Sequence, residues 1–259
     1  MDKQKIASFA EQLFNAERNR KAIKPLTEQD GSISLDDAYH IQLENINRAI
    51  GMGHTISGKK IGLTSPGIQK QMGVNEPDYG ILFAAMDCKD GKIKTDELLQ
   101  PRIEAEIAFI LKGDLAGGKV TKEDVIANTE YVVAAFEIVD SRVADWKIKL
   151  PDTVADNASS GRYVLGTNKF KLSEIDLPNV TMKLFKGGEL IGEGSGAAVQ
   201  GDPSVAVAWL ANRLWSYGVT LKAGEVILSG AFSAAPDAVK GDKFMAEFST
   251  FGKVEAEFI

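Results

Sequence analysis

The sequence predicts an α+β protein in which an N-terminal helical layer precedes a mostly β main domain. Three observations carry this. Two amphipathic helical patterns fill about the first 55 positions. Short apolar runs bounded by turn residues then dominate, with only a few helical patterns between them. No tandem repeat or low-complexity linker interrupts the chain. The expected organisation is a helical region at 1–55 and a mixed β region at 56–259, either as two units or as one continuous domain.

Each element follows from local pattern. Ile6, Phe9, Ala10, Leu13 and Phe14 form one stripe at helical spacing. The charged segment 24–31 breaks it. Ser34 then caps a second helix, with Asp36 and Asp37 in its first turn; Ala38, Ile41, Ile46, Ala49 and Ile50 form its apolar face, and Gly51 and Gly53 end it. From Ile56 the pattern changes to strands. Ile61 and Leu63 flank Gly62, and TSPG at 64–67 is a turn leading into a short helix. Strands are expected at 80–85, 102–111 and 131–139, with a helix between the last two that Thr121 caps and Asp124 closes. Residues 143–161 show no period and are expected to form a long loop. Beyond it, 180–185 and a return strand flank KGGE at 186–189 as a hairpin. Pro203 opens a helix with Val207, Leu210, Ala211 and Leu214 on one side. Strands at 225–229, 243–248 and 253–259 complete the pattern.

Composition narrows the functional classes. The chain of 259 residues is 44% hydrophobic and 25% charged, which fits a globular protein and excludes a disordered or collagen-like one. A formal charge of −6 and a pI near 5.2 argue against nucleic acid as the main partner. Cys88 is the sole cysteine, so neither an internal disulfide nor a CxxC zinc site can form. The N-terminal segment is charged throughout, unlike a signal peptide, and no apolar run has membrane-spanning length; the expected location is the cytoplasm, with no membrane partner.

Five features could carry chemistry. In IEAEI at 103–107, strand alternation puts Glu104 and Glu106 on one face and Ile103, Ala105 and Ile107 on the other. Two carboxylates ~7 Å apart on an otherwise apolar face repel and resist desolvation. A divalent cation relieves both costs, and all-oxygen ligands suit Mg²⁺ or Mn²⁺ better than zinc. The alternative is an exposed edge strand with solvated glutamates. Glu137, inside the apolar AAFEIV at 134–139, requires a partner: a metal, or a cation such as Arg142. A lysine inside KKIGLTS at 59–65, Lys59 or Lys60, could hold a substrate carboxylate or, if desolvated, exchange protons; a solvated surface lysine is the alternative. Asp78 precedes a buried strand and reads either as a reactive carboxylate or as a turn cap. TVADNASSG at 153–161 is a polar stretch that reads as a lid, as a water-mediated metal contact or as plain turn chemistry. Two patterns carry less. Gly192, Gly194 and Gly196 lack the spacing of a phosphate loop. His40 and His54 are too few and too far apart for a histidine metal site, and no GxSxG elbow is present.

KIGLTS (60–65), QMGVNEPDYGILF (71–83), QPRIEAEIAF (100–109), EIVDSR (137–142) and DTVADNAS (152–159) occur in this order. Together they resemble the 2-keto-4-pentenoate hydratases, which belong with the 4-oxalocrotonate decarboxylases in the fumarylacetoacetate hydrolase superfamily. The resemblance covers nearly the whole chain. It implies a mixed, largely β roll-like fold, a Mg²⁺ or Mn²⁺ held by Glu104, Glu106 and Glu137, and catalytic roles for Lys60 and Asp78. EPDYGILF resembles the hydratases more than the decarboxylases, and Asp78 is the discriminating residue. Asp202-Pro203 and FSAAP at 232–236 depart from the usual hydratase pattern.

The implied activity is hydration of a 2-hydroxyalka-2,4-dienoate to a 4-hydroxy-2-oxoalkanoate, in the meta-cleavage degradation of aromatic compounds. The implied partners are a small dienoate substrate, further copies of the chain in a homo-oligomer, and a related decarboxylase or downstream aldolase. Two nearer rivals stand beside this reading, ahead of hydrolysis of a C–C bond in an acylpyruvate, for which no convincing Asp/Glu-His water-activating pair is present. One is decarboxylation of a 2-oxo-enedioate at the same metal. The other is a mainly structural subunit of a hydratase–decarboxylase complex. A dicarboxylate substrate would need a further cation, for which Arg142, Arg162 and Lys147 are the candidates.

Overall fold

The structure, a computed structural model, describes the backbone of residues 1–259 and every side chain except those of residues 71 and 72. Helix α1 (Lys3–Asn19) starts where the Asp2 side chain accepts the Lys5 N–H. A single helical turn, α2 (Leu26–Gln29), lies within the charged segment, and α3 (Leu35–Gly51) carries the expected Ser34–Asp37 capping box. These caps satisfy amide donors that a helix start otherwise leaves unpaired. Phe9, Ala10 and Leu13 of α1 and Ala38 and Ile41 of α3 are buried, whereas Ile50 is exposed at the end of its helix.

The strands are β1 (Ile56–Gly62), β2 (Asp78–Phe83), β3 (Lys92–Ile93), β4 (Pro101–Leu111), β5 (Thr129–Asp140) and β6 (Ser160–Leu165), then β7 (Thr181–Lys186), β8 (Glu189–Ser195), β9 (Val226–Leu228), β10 (Lys243–Phe248) and β11 (Gly252–Phe258). Between them lie α4 (Pro66–Met72), α5 (Lys122–Asn128), α6 (Leu150–Ala155) and α7 (Pro203–Trp215). They form a six-stranded sheet of order β2-β1-β9-β4-β5-β6 and a five-stranded sheet of order β3-β11-β10-β7-β8. The α+β class is therefore observed directly. No helix among the described residues is long and apolar enough to cross a membrane.

The six-stranded sheet has two unlike faces. Ile103, Ala105, Ile107 and Phe109 of β4 join Phe136 and Ile138 of β5 in the main core, which also takes in Phe9, Leu13 and Ile41 of the N-terminal helices. On the other face, Ala108 and Ile110 join Leu82, Ala135, Tyr163 and Leu228 in a smaller apolar cluster. Strand alternation puts Glu104, Glu106 and Glu137 on that second face, at the end where the small cluster stops.

The segment 143–161 differs from expectation. It holds a 3₁₀ turn at Ala144–Trp146, helix α6 and a second 3₁₀ turn at Asn157–Ser159. These pieces are too short to display a helical period, and they are fixed by side chains from elsewhere. Asp152 accepts from the Thr27 N–H (2.9 Å), the Thr27 hydroxyl (2.7 Å) and the Lys149 N–H (2.9 Å). Strand β6 begins with Ser-Gly-Arg, which masks its apolar half from the sequence pattern. The Gly192/Gly194/Gly196 series serves packing. A Cβ on Gly194 would lie 2.0 Å from the Phe232 carbonyl oxygen, and one on Gly196 would lie 2.0 Å from that of Leu177.

Candidate metal centre

Strand pairing assembles the site. In the β4–β5 ladder Glu104 stands directly opposite Glu137, and Glu106 is two residues along on the same face. One carboxylate oxygen from each of the three lies within 4.8 Å of the others. Glu106 and Glu137 have no solvent exposure. That excludes the solvated edge strand: β4 is an interior strand, between β9 and β5.

Lys60 arrives from β1, next but one to β4 in the sheet. Its ammonium lies 3.0 Å from Glu137 Oε1, and both side chains are buried. Glu137 thus pairs with Lys60. Arg142, the other cation considered for that role, instead meets Asp156, with Nε 2.5 Å from Oδ1. Lys59, on the opposite side of β1, pairs with Glu225 at 2.5 Å. Asp78 opens β2 opposite Gly62, and Lys60 stands opposite Gly80. A Cβ on Gly62 would lie 2.2 Å from Asp78 Oδ1 and 3.5 Å from Lys60 Nζ. Asp78 and Lys60 therefore converge over Gly62, where a side chain would displace the Asp78 carboxylate. The Thr153 hydroxyl donates to Asp78 Oδ2 at 3.4 Å. Asp78 is buried and is no exposed turn cap.

All five predicted residues thus meet in one place. The sequence reading missed the supporting groups. The Gly230 N–H donates to Glu106 Oε2 at 2.8 Å. Gly230 has φ +118°, and a Cβ there would collide with Thr64, so the backbone can turn toward the carboxylate only because no side chain is present. Its sequence signal is the Ser-Gly pair just after the apolar run at 226–228. The three cations considered for a second substrate carboxylate are all engaged elsewhere: Arg142 with Asp156, Arg162 with Glu97 and Lys147 with Asp145. A cleft of about 500 Å³ between α1, α3 and the segment around 155–162 touches none of the five site residues.

The electrostatics follow from burial and crowding. Burial, reinforced by Glu137 and Glu104, holds the Glu106 carboxyl well above its ordinary range. Burial also raises Glu137, to about 7, with Lys60 opposing and Glu104 reinforcing. Glu104 and Asp78 are raised by burial against the pull of Lys60. Burial works to lower Lys60, but the carboxylates of Glu137, Glu104, Asp78 and Glu106 outweigh it and hold the ammonium above its usual value. Four carboxylates face one ammonium. Glu106 Oε1, Glu137 Oε2 and Asp78 Oδ1 are buried and accept no hydrogen bond among the described residues, and Glu137 Oε1 has only the Lys60 ammonium beside it. Buried oxygens without partners are costly in a finished protein interior. Here they converge, and a hard divalent cation satisfies such a set without further protein donors. The residues fit the implied metal, and the all-oxygen set fits Mg²⁺ or Mn²⁺.

Residues 85–259 match the family described as fumarylacetoacetate (FAA) hydrolase C-terminal. The chain is 45% identical to a 2-hydroxyhexa-2,4-dienoate hydratase of Comamonas testosteroni, over 99% of this chain and 98% of the relative. It is 44% identical to a 2-keto-4-pentenoate hydratase of Paraburkholderia xenovorans, over 100% of this chain and 96% of the relative. Among solved structures, the 4-oxalocrotonate decarboxylase from Pseudomonas putida G7, complexed with magnesium and adipate, superposes with a TM-score of 0.96 at 37% identity. That match covers 100% of this chain and 99% of the decarboxylase. With the family match over most of the chain and relatives of this identity along its full length, the chain belongs to the fumarylacetoacetate hydrolase family, in its group of 2-keto-4-pentenoate hydratases and 4-oxalocrotonate decarboxylases.

Proposed function

We propose that this protein is a hydro-lyase that adds water to 2-hydroxypenta-2,4-dienoate or a close 2-hydroxyalka-2,4-dienoate, giving a 4-hydroxy-2-oxoalkanoate, in the meta-cleavage degradation of aromatic compounds. The observation that carries it is the convergence of Asp78 and Lys60 over Gly62 beside the three clustered glutamates. The hydratase names of relatives at 45% and 44% identity support the same reading.

Glu104, Glu106 and Glu137 would hold Mg²⁺ or Mn²⁺, and the magnesium in the decarboxylase structure supports a divalent cation here. When bound, such a cation supplies Lewis acidity to oxygens of a 2-hydroxy or 2-oxo acid. The protein's own groups do the rest. The net reaction takes up one water: the 2-hydroxyl proton is lost, C5 gains a proton, and water then adds with its oxygen at C4 and a hydrogen at C3. Lys60, kept charged by four carboxylates, binds the anionic end of the substrate or steadies charge at its 2-oxygen. Asp78, which burial raises above the ordinary carboxylate range, is suited to exchange a proton with a reacting carbon or with the incoming water. Among the described residues Thr153 alone donates a side-chain hydrogen bond to it, and its second oxygen accepts none. The same reading places the enzyme in the cytoplasm as a homo-oligomer, beside a related decarboxylase or downstream aldolase, as the family resemblance implies.

The decarboxylase neighbour favours one second reading, loss of CO₂ from 4-oxalocrotonate at the same centre. A paired assay separates the two. We expect hydration of 2-hydroxypenta-2,4-dienoate to exceed CO₂ release from 4-oxalocrotonate at least a hundredfold in kcat/KM. The reverse ratio would assign the protein as a decarboxylase.

A further inference from the structure

The edge strand β2 carries Asp78, yet its outer side is free of any neighbouring strand. An unpaired edge can shift or fray. In this protein side chains replace the missing strand: Gln42 Nε2 donates to the Tyr79 carbonyl at 2.9 Å, and Asn157 takes both backbone groups of Ile81. Asn157 Oδ1 accepts the Ile81 N–H at 2.8 Å, and Asn157 Nδ2 donates to the Ile81 carbonyl at 2.9 Å. The carboxamide thus completes both backbone bonds of Ile81, as a strand neighbour would.

The segment that presents Asn157 is unusual. Asn157, Ala158 and Ser159 have φ of +55°, +49° and +54°, three consecutive non-glycine residues in the left-handed region. Such a run is unfavourable for L-residues and persists only where surrounding contacts impose it. Those contacts are present. Arg142 donates to the Asp156 carbonyl (2.5 Å), the Asp156 carboxylate (2.5 Å) and the Ser160 carbonyl (2.9 Å), gripping both ends of the turn. The Ser160 hydroxyl donates to the Asn157 carbonyl at 2.8 Å. β2 is shaped to receive the turn: a Cβ on Gly80 would lie 2.4 Å from the Asn157 carbonyl oxygen. Gly80 sits between Asp78 and the Asn157-bound Ile81, opposite Lys60.

We propose that Asn157 is a positioning residue: its paired hydrogen bonds to Ile81 fix β2 so that Asp78 is held against Lys60 in its working orientation. The inference rests on the hydratase reading above. It assigns to the 157–159 turn a task in the reaction without contact with substrate. A displacement of one ångström at a proton-transferring group lowers turnover while leaving ground-state binding largely intact.

The test uses Asn157→Gly in the full-length protein. Glycine adopts the left-handed conformation freely, so the variant removes the two hydrogen bonds without adding backbone strain. We expect kcat for 2-hydroxypenta-2,4-dienoate to fall at least tenfold, with KM and Mn²⁺ affinity (by electron paramagnetic resonance) within twofold of wild type. Amide exchange at Ile81 should accelerate at least tenfold in the same sample. Asn157→Asp keeps the acceptor for the Ile81 N–H and should recover part of kcat; it carries the test if the glycine variant does not fold. A kcat within twofold of wild type in Asn157→Gly, or a KM that rises and a Mn²⁺ affinity that falls in step with the loss of kcat, overturns the assignment. An inactive wild type would instead contradict the hydratase reading itself, which separates the two failures.

Discussion

The protein buries two groups of charges and treats them differently. Around Arg142, each guanidinium nitrogen donates to a carbonyl or carboxylate oxygen. Asp156 takes the Arg142 N–H at 2.9 Å as well as the guanidinium, and lies near the Ser141 and Ser159 hydroxyls. Around Glu106 the pattern inverts: three buried carboxylate oxygens of Glu106, Glu137 and Asp78 accept nothing among the described residues, and Glu137 Oε1 has only the Lys60 ammonium. The first group is complete as a structural joint. The second is incomplete as protein, and its unfilled acceptors converge on a small volume. Burial alone does not separate structural from functional charges here. Satisfaction of hydrogen-bonding capacity does.

The largest effect that would sharpen this contrast is Glu106→Gln. It should weaken Mn²⁺ binding at least a hundredfold and lower turnover by about three to four orders of magnitude. The same substitution should leave the metal-free melting temperature no lower than wild type, because it removes one of several mutually repelling buried carboxylates. Calorimetric metal titration and thermal melts of one preparation check both halves; a strongly destabilised metal-free protein would break the comparison. Arg142→Ala should do the opposite. Leaving Asp156 buried and unpaired should cost about 3–5 kcal/mol of stability by denaturant unfolding, with Mn²⁺ affinity of the folded fraction unchanged. Asp78→Asn should lower kcat about a hundredfold or more while metal affinity stays within twofold, since Asp78 is outside the glutamate cluster.

A smaller effect concerns pH. The folded-state value of Glu137 is raised from 4.5 to about 7, so between these values the folded metal-free protein holds a proton that the unfolded chain releases. Its contribution to stability is therefore present below pH 4.5 and is lost as pH rises through 7, on the order of 3 kcal/mol. Glu104 and Glu106 act in the same direction. Saturating Mg²⁺ or Mn²⁺ should flatten that slope, and urea unfolding at pH 5 and 7.5 with and without metal measures it. Smallest of all, Lys147→Ala should change stability by less than about 0.5 kcal/mol, because Lys147 and Asp145 form an exposed pair.

Much of the fold was legible because capping and alternation act locally. Ser34 with Asp37 and Thr121 with Asp124 form the capping boxes their spacing predicts. The alternation at 103–107 separated Glu104 and Glu106 from the core face correctly. The segment 143–161 was not legible, since α6 and its flanking turns are held by Thr27, Arg142 and Asp152 rather than by their own periodicity. In the site, the three glutamates could be suspected from residues out of place in apolar strands. Their placement opposite one another depends on the β4–β5 register, and that of Lys60 on a parallel β1–β9 pairing, neither of which leaves a local trace. The choice of Lys60 over Arg142 as partner of Glu137 likewise needed the third dimension.

The most direct test of the account follows 2-hydroxypenta-2,4-dienoate spectrophotometrically with metal-stripped protein, before and after addition of Mg²⁺ or Mn²⁺, and identifies the product by NMR. The account predicts negligible turnover without metal and formation of 4-hydroxy-2-oxopentanoate once metal is restored. Turnover that survives chelation undiminished, or no turnover with either metal, would contradict it.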